Sequence, residues 1–438
     1  MRALSNVAAS ALGFVLVACG PFGAEGSAED GQPGNDVGAP DGGNPSAGVD
    51  SVPAGPSAED SGGGCDVPAP PAYSALVPND ELPDPFAAMD GSRIASRGDW
   101  TCRRAELGAL AQAYELGAKP RRPVTVTGSF ENGAIVVTAG DADETLTFSA
   151  TVTLPAAGSA PYPAIIALGG SSLNDAELAA LGVASIRFDN SELAEQTDAS
   201  SRGRGKFYEL YGRNHGAGAM IAWAWGVSRL IDALETTPEA EIDATRLGVT
   251  GCSRNGKGAL IAGAFDERVV LTIPQESGSG GSASWRVSDA MLASGTVVQT
   301  LAEITGENVW FRTSFSQFND TASRLPFDHH SILGMVAPRG LLVVENTSMV
   351  WLGNESTYTA SLAAHRVWDA LGTPSNMGFS QVGNHDHCRF PAAQGPIVLA
   401  FAKKFLLDDA STDTNVLETD GNFTLDEERW ANWDVPAL

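Results

Sequence analysis

The chain has 438 residues, too many for one small domain, and fits one large α/β domain with extra segments. Its 53 acidic residues outnumber 27 basic ones, for a formal charge of −26. That balance excludes a nucleic-acid partner, which would need clustered Lys and Arg, and suits the solubility of an exported protein.

Met1 to Ala18 begins with Arg2, runs through an apolar stretch and stops at Cys19. It is too short and too weakly flanked for a spanning helix. Leu16-Val17-Ala18-Cys19 has the cleavage pattern of a bacterial lipoprotein signal, which predicts a signal peptide over 1–18 and lipidation of Cys19. Gly20 then points to the outer membrane or cell surface; an ordinary signal peptide would release a secreted chain instead. Gly20 to Gly64 holds eight acids, no base and almost no large apolar residue. Such a segment cannot bury enough surface to offset its ordering entropy, so 19–64 reads as a flexible tether and 65–438 as the folded domain. Four cysteines remain: Cys65, Cys102, Cys252 and Cys388. An even number in an exported chain suggests two disulfides, and the sequence permits three pairings.

Ala69 to Pro85 is Pro-rich and is expected to wrap the surface. Trp100 to Leu116 has helical spacing. Two β-branched runs bracket Glu131-Asn132-Gly133, a hairpin signal, and Thr145 to Leu154 alternates as a third strand. Pro163 to Leu168 is a short apolar strand ending in Gly169-Gly170, a turn able to present backbone N–H groups to an oxyanion. Strands follow at Ala184–Asp189, Leu247–Cys252, Val269–Ile273, Gly340–Val344 and Phe379–Val382, and helices at Ala217–Leu234, Tyr358–Leu371 and Pro396–Leu407. An antiparallel start followed by alternating strands and helices predicts a mixed, mostly parallel sheet covered on both faces, a three-layer α/β sandwich.

Leu247 to Ala259 reads strand, sharp turn, helix, with Ser253 at the turn. A serine there is held out of the sheet, beside a helix N-terminus that favours negative charge. The usual Gly-x-Ser-x-Gly elbow is altered: the second glycine comes one place late, at Gly256. A nucleophilic serine needs a base, and the base needs an orienting acid. His385 and His387 follow the last short strand, where this order of chemistry puts the base. His329 and His330 read as a helix-start cluster, and His215 and His365 as ordinary helix or loop residues. A bridge from Cys252 to Cys388 would bring the Ser253 turn against His387. Glu276 and Glu345 both end strands, and spacing does not choose between them. A metal reading of His385 to Cys388 lacks a second ligand cluster at zinc spacing, and neither metal nor cofactor is expected.

Gly251 to Gly258, Pro274 to Gly281, His385 to Cys388, Gly205 to Gly212 and Ala222 to Leu234 together resemble the glucuronoyl esterases, carbohydrate esterase family 15, over roughly residues 69–407. The resemblance implies an α/β-hydrolase fold and a triad of Ser253, His387 and Glu276, with Glu345 as the alternative acid. It gives Arg254 to the oxyanion, through side chain and backbone N–H, and assigns Lys257, Gln299, Glu307 and Trp351 to the glucuronoyl sugar. It implies the bridge Cys252–Cys388, which leaves Cys65–Cys102. Fungal relatives carry a further bridge, one cysteine of which is replaced here by Ser284. The implied substrate is the ester of 4-O-methyl-glucuronic acid on xylan with a lignin alcohol. Apart from the resemblance, the chain is expected to be a monomer whose membrane contact is only the N-terminal lipid anchor. Two other readings remain: an acetyl or general carboxylesterase, and an inactive carbohydrate-binding surface lipoprotein on a hydrolase fold.

Overall fold

A computed structural model describes residues 64–141 and 144–438. The readings of a signal peptide, of lipidation at Cys19 and of nearly all the tether lie outside the described residues. Ten strands form one sheet: β1 (Thr125–Glu131), β2 (Ala134–Asp141), β3 (Glu144–Thr153), β4 (Tyr162–Leu168), β5 (Ala184–Phe188), β6 (Ile242–Cys252), β7 (Val269–Gln275), β8 (Gly340–Glu345), β9 (Met377–Gln381) and β10 (Leu417–Thr419). Their order is β1-β2-β3-β5-β4-β6-β7-β8-β9-β10. β1, β2 and β3 run antiparallel, and β3 joins β5 antiparallel. From β5 to β10 every pairing is parallel.

The two halves of the sheet differ in how they are covered. β3 alternates buried and exposed residues, so one of its faces meets solvent. β8 is buried at every position. Its side chains alternate between faces, sending Leu341 and Val343 into one apolar cluster and Leu342 and Val344 into the other. The first cluster takes the helix Ala219–Leu234, whose sixteen residues are all buried. The second takes Val398, Phe401, Ala402 and Leu406 of the helix Gly395–Leu406. This is the three-layer arrangement expected from the alternation of strands and helices. Among the described residues no helix is long and apolar enough to cross a membrane.

Local chemistry explains the details. Asn132 and Gly133 both take positive φ, 52° and 77°, as the tight turn from β1 to β2 requires. The expected helix from Trp100 begins earlier, at Arg97, because Ser96 accepts a hydrogen bond from the Asp99 N–H and caps it. It ends at Ala111 and continues as a π-turn, Gln112–Leu116. The Pro-rich start is tied down along the surface: Asn79 N–H donates to the Ser323 carbonyl at 2.8 Å, and Arg286 Nε donates to the Asn79 carbonyl at 2.8 Å. The Cys65–Cys102 disulfide anchors it to the first helix. The helices Trp285–Ala293 and Leu301–Glu307 and strand β10 were not expected from the sequence.

Candidate active site

β6 ends at Cys252, the next helix runs Arg254–Phe265, and Ser253 alone makes the turn with φ 59° and ψ −127°. Such backbone is costly for a non-glycine residue and persists only where its surroundings enforce it. Ser253 N–H donates to the Gln275 carbonyl at 2.9 Å, which locks the turn to the end of β7. Both flanking glycines are required by close approach. A Cβ on Gly251 would stand 2.5 Å from the Asn255 carbonyl oxygen, and one on Gly256 would stand 2.6 Å from that of Gln275. The late second glycine therefore lets the first helical turn press against β7.

Three loops meet at this turn. Glu276, directly after β7, has φ 44°, which turns its side chain away from the strand path. Its Oε2 accepts the Nδ1–H of His387 at 2.8 Å, the Cys388 N–H at 3.0 Å and the Asn346 amide at 3.4 Å. Glu276 is fully buried, whereas the His387 side chain is about a quarter exposed. His387 Nε2 has no hydrogen-bond partner among the described residues. A carboxylate on Nδ1 fixes the tautomer that leaves Nε2 free to take a proton. The Cys252–Cys388 disulfide, with Cα atoms 5.7 Å apart, joins the residue before Ser253 to the residue after His387. Both sulfurs are thereby consumed, so the cluster Cys252, His387 and Cys388 offers no thiolate to a metal. Four of the seven non-glycine residues with positive φ among those described lie in these loops: Ser253, Glu276, Asn384 and Cys388.

Glu345 ends β8 and is equally buried, but the structure does not bring it to a histidine. Its Oε1 accepts the N–H groups of Ser277 and Gly278, at 2.9 and 3.3 Å, and the hydroxyls of Ser277 and Ser282. The alternative acid is thus corrected by hydrogen-bond geometry: Glu276, not Glu345, holds His387. Burial pushes the Glu345 carboxyl up to about 7; the hydrogen bonds from Ser282, Gly278 and Ser277 oppose this and the Glu276 charge adds to it. His385 is the neighbour and not the partner. Its Nε2 bonds the Val382 carbonyl at 2.8 Å, and its Nδ1 stays 3.7 Å from Glu276 Oε1. His329 starts a short helix capped by Asp328, as expected, and pairs in the interior with Glu115 at 2.9 Å.

Two cations follow Ser253 in the first turn and a half of its helix. The Arg254 guanidinium lies 5.3 Å from the Trp310 ring centre, and its Nη1 donates to the Gln196 carbonyl at 3.4 Å. Lys257 is only 3% exposed, and its Nζ donates to the carbonyls of Ser277 and Ser279 at 2.5 and 2.7 Å. Burial pushes this ammonium down to about 8, against the pull of Glu307 and Glu345 and with the help of Arg254. Gln299 Nε2 donates to Glu307 Oε2 at 3.0 Å, and Gln299 N–H donates to the Trp351 carbonyl at 2.9 Å. The Trp351 ring is 38% exposed and meets the His387 ring edge-on at 4.9 Å. Exposure at that level fits a platform and not a core residue.

Sequence reasoning missed Trp310, Gln196 and Asn346. The only signal for Trp310 was an aromatic three places after Glu307. One expectation is corrected. Gly169 and Gly170 do form a turn after β4, but their N–H groups donate to the carbonyls of Phe188 and Ala167, at 2.9 and 3.4 Å. They are not available to an oxyanion. The donors closest in sequence to the nucleophile are those of the first helical turn at Arg254, which lack intrahelical partners by geometry.

A family model described as glucuronyl esterase, fungi, matches residues 137–372. The 4-O-methyl-glucuronoyl methylesterase of Hypocrea jecorina is 48% identical over 376 residues, covering 86% of this chain and 80% of its own. That of Cerrena unicolor is 47% identical over 381 residues, covering 84% and 79%. Among solved structures, the glucuronoyl esterase catalytic domain from Hypocrea jecorina aligns with a TM-score of 0.80, over 83% of this chain and 98% of that one. A mutant glucuronoyl esterase from Sporotrichum thermophile, in complex with methyl 4-O-methyl-β-D-glucopyranuronate, is 42% identical and aligns with a TM-score of 0.81, over 86% of this chain and 100% of that one. With the sheet order above, these neighbours give the fold as that of the α/β-hydrolases.

Proposed function

The chain belongs to the glucuronoyl esterases of carbohydrate esterase family 15, and on that premise we propose that it hydrolyses esters of glucuronic acid through a glucuronoyl-enzyme intermediate. Ser253 Oγ attacks the ester carbonyl carbon as His387 Nε2 takes its proton. Glu276 holds the resulting imidazolium through Nδ1. The carbonyl oxygen becomes an oxyanion, met by Arg254 through its backbone N–H and permanently charged side chain. His387 returns the proton to the alcohol oxygen as the ester bond breaks, leaving the glucuronoyl group on Ser253. Water, deprotonated by His387, then releases glucuronic acid and restores the serine. Lys257, Gln299 and Glu307 receive the sugar hydroxyls, and Trp351 covers its face. The natural substrate on this reading is the ester of 4-O-methyl-glucuronic acid on xylan with a lignin alcohol.

The observation that carries the reading is the 2.8 Å bond from His387 to Glu276, with the disulfide tying His387 to the Ser253 turn. Two disulfides also suit an enzyme exported to an oxidising compartment. Benzyl glucuronate is the test substrate. The wild type should turn it over, and Ser253→Ala should keep its fold and lose all but residual rate. A variant retaining more than a few per cent of the rate would remove Ser253 from the role. A simple aryl acetate hydrolysed better than benzyl glucuronate would favour a general carboxylesterase, and binding of glucuronoxylan without turnover would favour a binding protein.

A further inference from the structure

Glu345 stands where a strand end offers an acid to a catalytic histidine, yet all its hydrogen bonds go elsewhere. The groups bonded to its Oε1 belong to the single turn 277–282 that follows Glu276. The same turn supplies both carbonyls that hold Lys257, those of Ser277 and Ser279. One peptide group is shared. The Ser277 carbonyl accepts from Lys257 Nζ at 2.5 Å, while the N–H of that same peptide, on Gly278, donates to Glu345 Oε1 at 3.3 Å. Once Glu345 is ionised, a peptide dipole therefore lies head to tail between a carboxylate and an ammonium, an arrangement in which each hydrogen bond polarises the next. Lys257 is almost fully buried and commits two of its three N–H groups to these carbonyls, so one remains for a ligand.

We propose that Glu345 is a positioning residue for Lys257: through the Ser277–Gly278 peptide it holds the lysine ammonium at the sugar site, and it does not orient His387. The inference rests on the reading that Lys257 contacts the glucuronoyl sugar. It separates two carboxylates by the kinetic constant each governs. Glu276 acts on the chemical step, and Glu345 acts on the binding of the uronic acid.

The test is Glu345→Gln on benzyl glucuronate, with Glu276→Gln and Lys257→Met beside it. Glu345→Gln should raise KM about tenfold, the scale of one charge-assisted hydrogen bond, and change kcat less than about threefold. In the Lys257→Met background the same substitution should add nothing to KM, because its route is gone. A fall in kcat like that of Glu276→Gln, at unchanged KM, would overturn the proposal and give Glu345 a share in the triad. A full KM effect persisting without Lys257 would overturn it as general distortion. Nuclear magnetic resonance titration of 13C-labelled lysine provides a readout independent of substrate: Glu345→Gln should move the Lys257 titration to lower pH, and an unmoved titration sinks the proposal. If the wild type fails on benzyl glucuronate, the functional reading fails by itself and the titration alone decides the Glu345–Lys257 link. Should Glu345→Gln not fold, Ser282→Ala removes one donor to Glu345 and should give a smaller rise in KM, about threefold, again absent in the Lys257→Met background.

Discussion

The ends of β7 and β8 make a controlled comparison. Two neighbouring parallel strands each carry a buried glutamate, one directly after β7 and one at the last position of β8, yet one touches a histidine and the other does not. Glu276 takes φ 44°, leaves the line of its strand and meets His387, Cys388 and Asn346. Glu345 points into the neighbouring turn, where its Oε1 accepts from backbone N–H groups and serine hydroxyls and its buried Oε2 has no partner among the described residues. Position in the fold therefore does not assign the acid. The donors that surround each carboxylate do, and a single backbone angle decides which donors those are.

The largest break in this comparison should come from Glu276→Gln. The amide keeps the shape but cannot stabilise an imidazolium or enforce the right tautomer, so kcat should fall by several orders of magnitude, about 10⁴ in the type case. His387→Ala should cost as much, since triad members act as a unit. Single-turnover kinetics on benzyl glucuronate would read both, and a loss of tenfold or less for Glu276→Gln would remove it from the triad. His385→Ala should be milder, because that ring bonds the Val382 carbonyl and supports the loop rather than reaching Glu276 at hydrogen-bond distance. A ranking of His385 above His387 would transfer the base.

Next in size is the Cys252–Cys388 bridge, which spans 136 residues and joins the serine turn to the histidine loop. In the chain-entropy model such a closure contributes about 4–5 kcal/mol. Replacing both cysteines with alanine should lower the unfolding midpoint and reduce kcat together, since strained loops at Ser253 and Cys388 lose their shared restraint. Unfolding curves paired with rates would show it. A variant that lost stability at full kcat would mean that the β7 and β9 loops hold His387 without the bridge.

Much of this site was legible in the sequence because its parts are local. The β-branched run before Ser253, the small residues around the turn and the apolar stretch after it specify strand, turn and helix within thirteen residues. The halves of the sheet were legible for a similar reason: alternation in β3 and continuous apolar runs in β4 and β8 report one covered face or two. The acid was not legible from spacing, because the positive φ of Glu276 is imposed by packing between strands and not by its own residue type. β10 was missed since three residues, mostly exposed, carry no apolar signal, although Asp420 just beyond it accepts the Gly383 N–H at 2.8 Å and steadies the histidine loop. The helix Trp285–Ala293 was hidden behind a Ser- and Gly-rich run that reads as loop. Trp310 and Gln196 were missed because they act from a distance, under Arg254 and Lys257, and no local pattern marks them.

The smallest expected effect sharpens the comparison from the other glutamate. Burial, with the Glu276 charge adding to it, lifts the Glu345 carboxyl from 4.5 to about 7 against its hydrogen bonds. A group whose pKa rises on folding favours the folded state most when it is protonated in both states. Its contribution is therefore fully present below about 4.5 and is lost as the pH climbs through about 7. Glu345→Gln is neutral at every pH and carries no such dependence. Thermal unfolding of wild type and variant between pH 5 and 8 should then show the variant gaining relative to the wild type as the pH rises, most clearly below pH 7, where Lys257 is charged in both proteins. The gain should level off above about pH 7, once the carboxyl is ionised in the fold as well as in the unfolded chain. Parallel curves across that window would mean that Glu345 is already charged at pH 5, and that the turn it holds offers its carboxylate more than the four donors now counted.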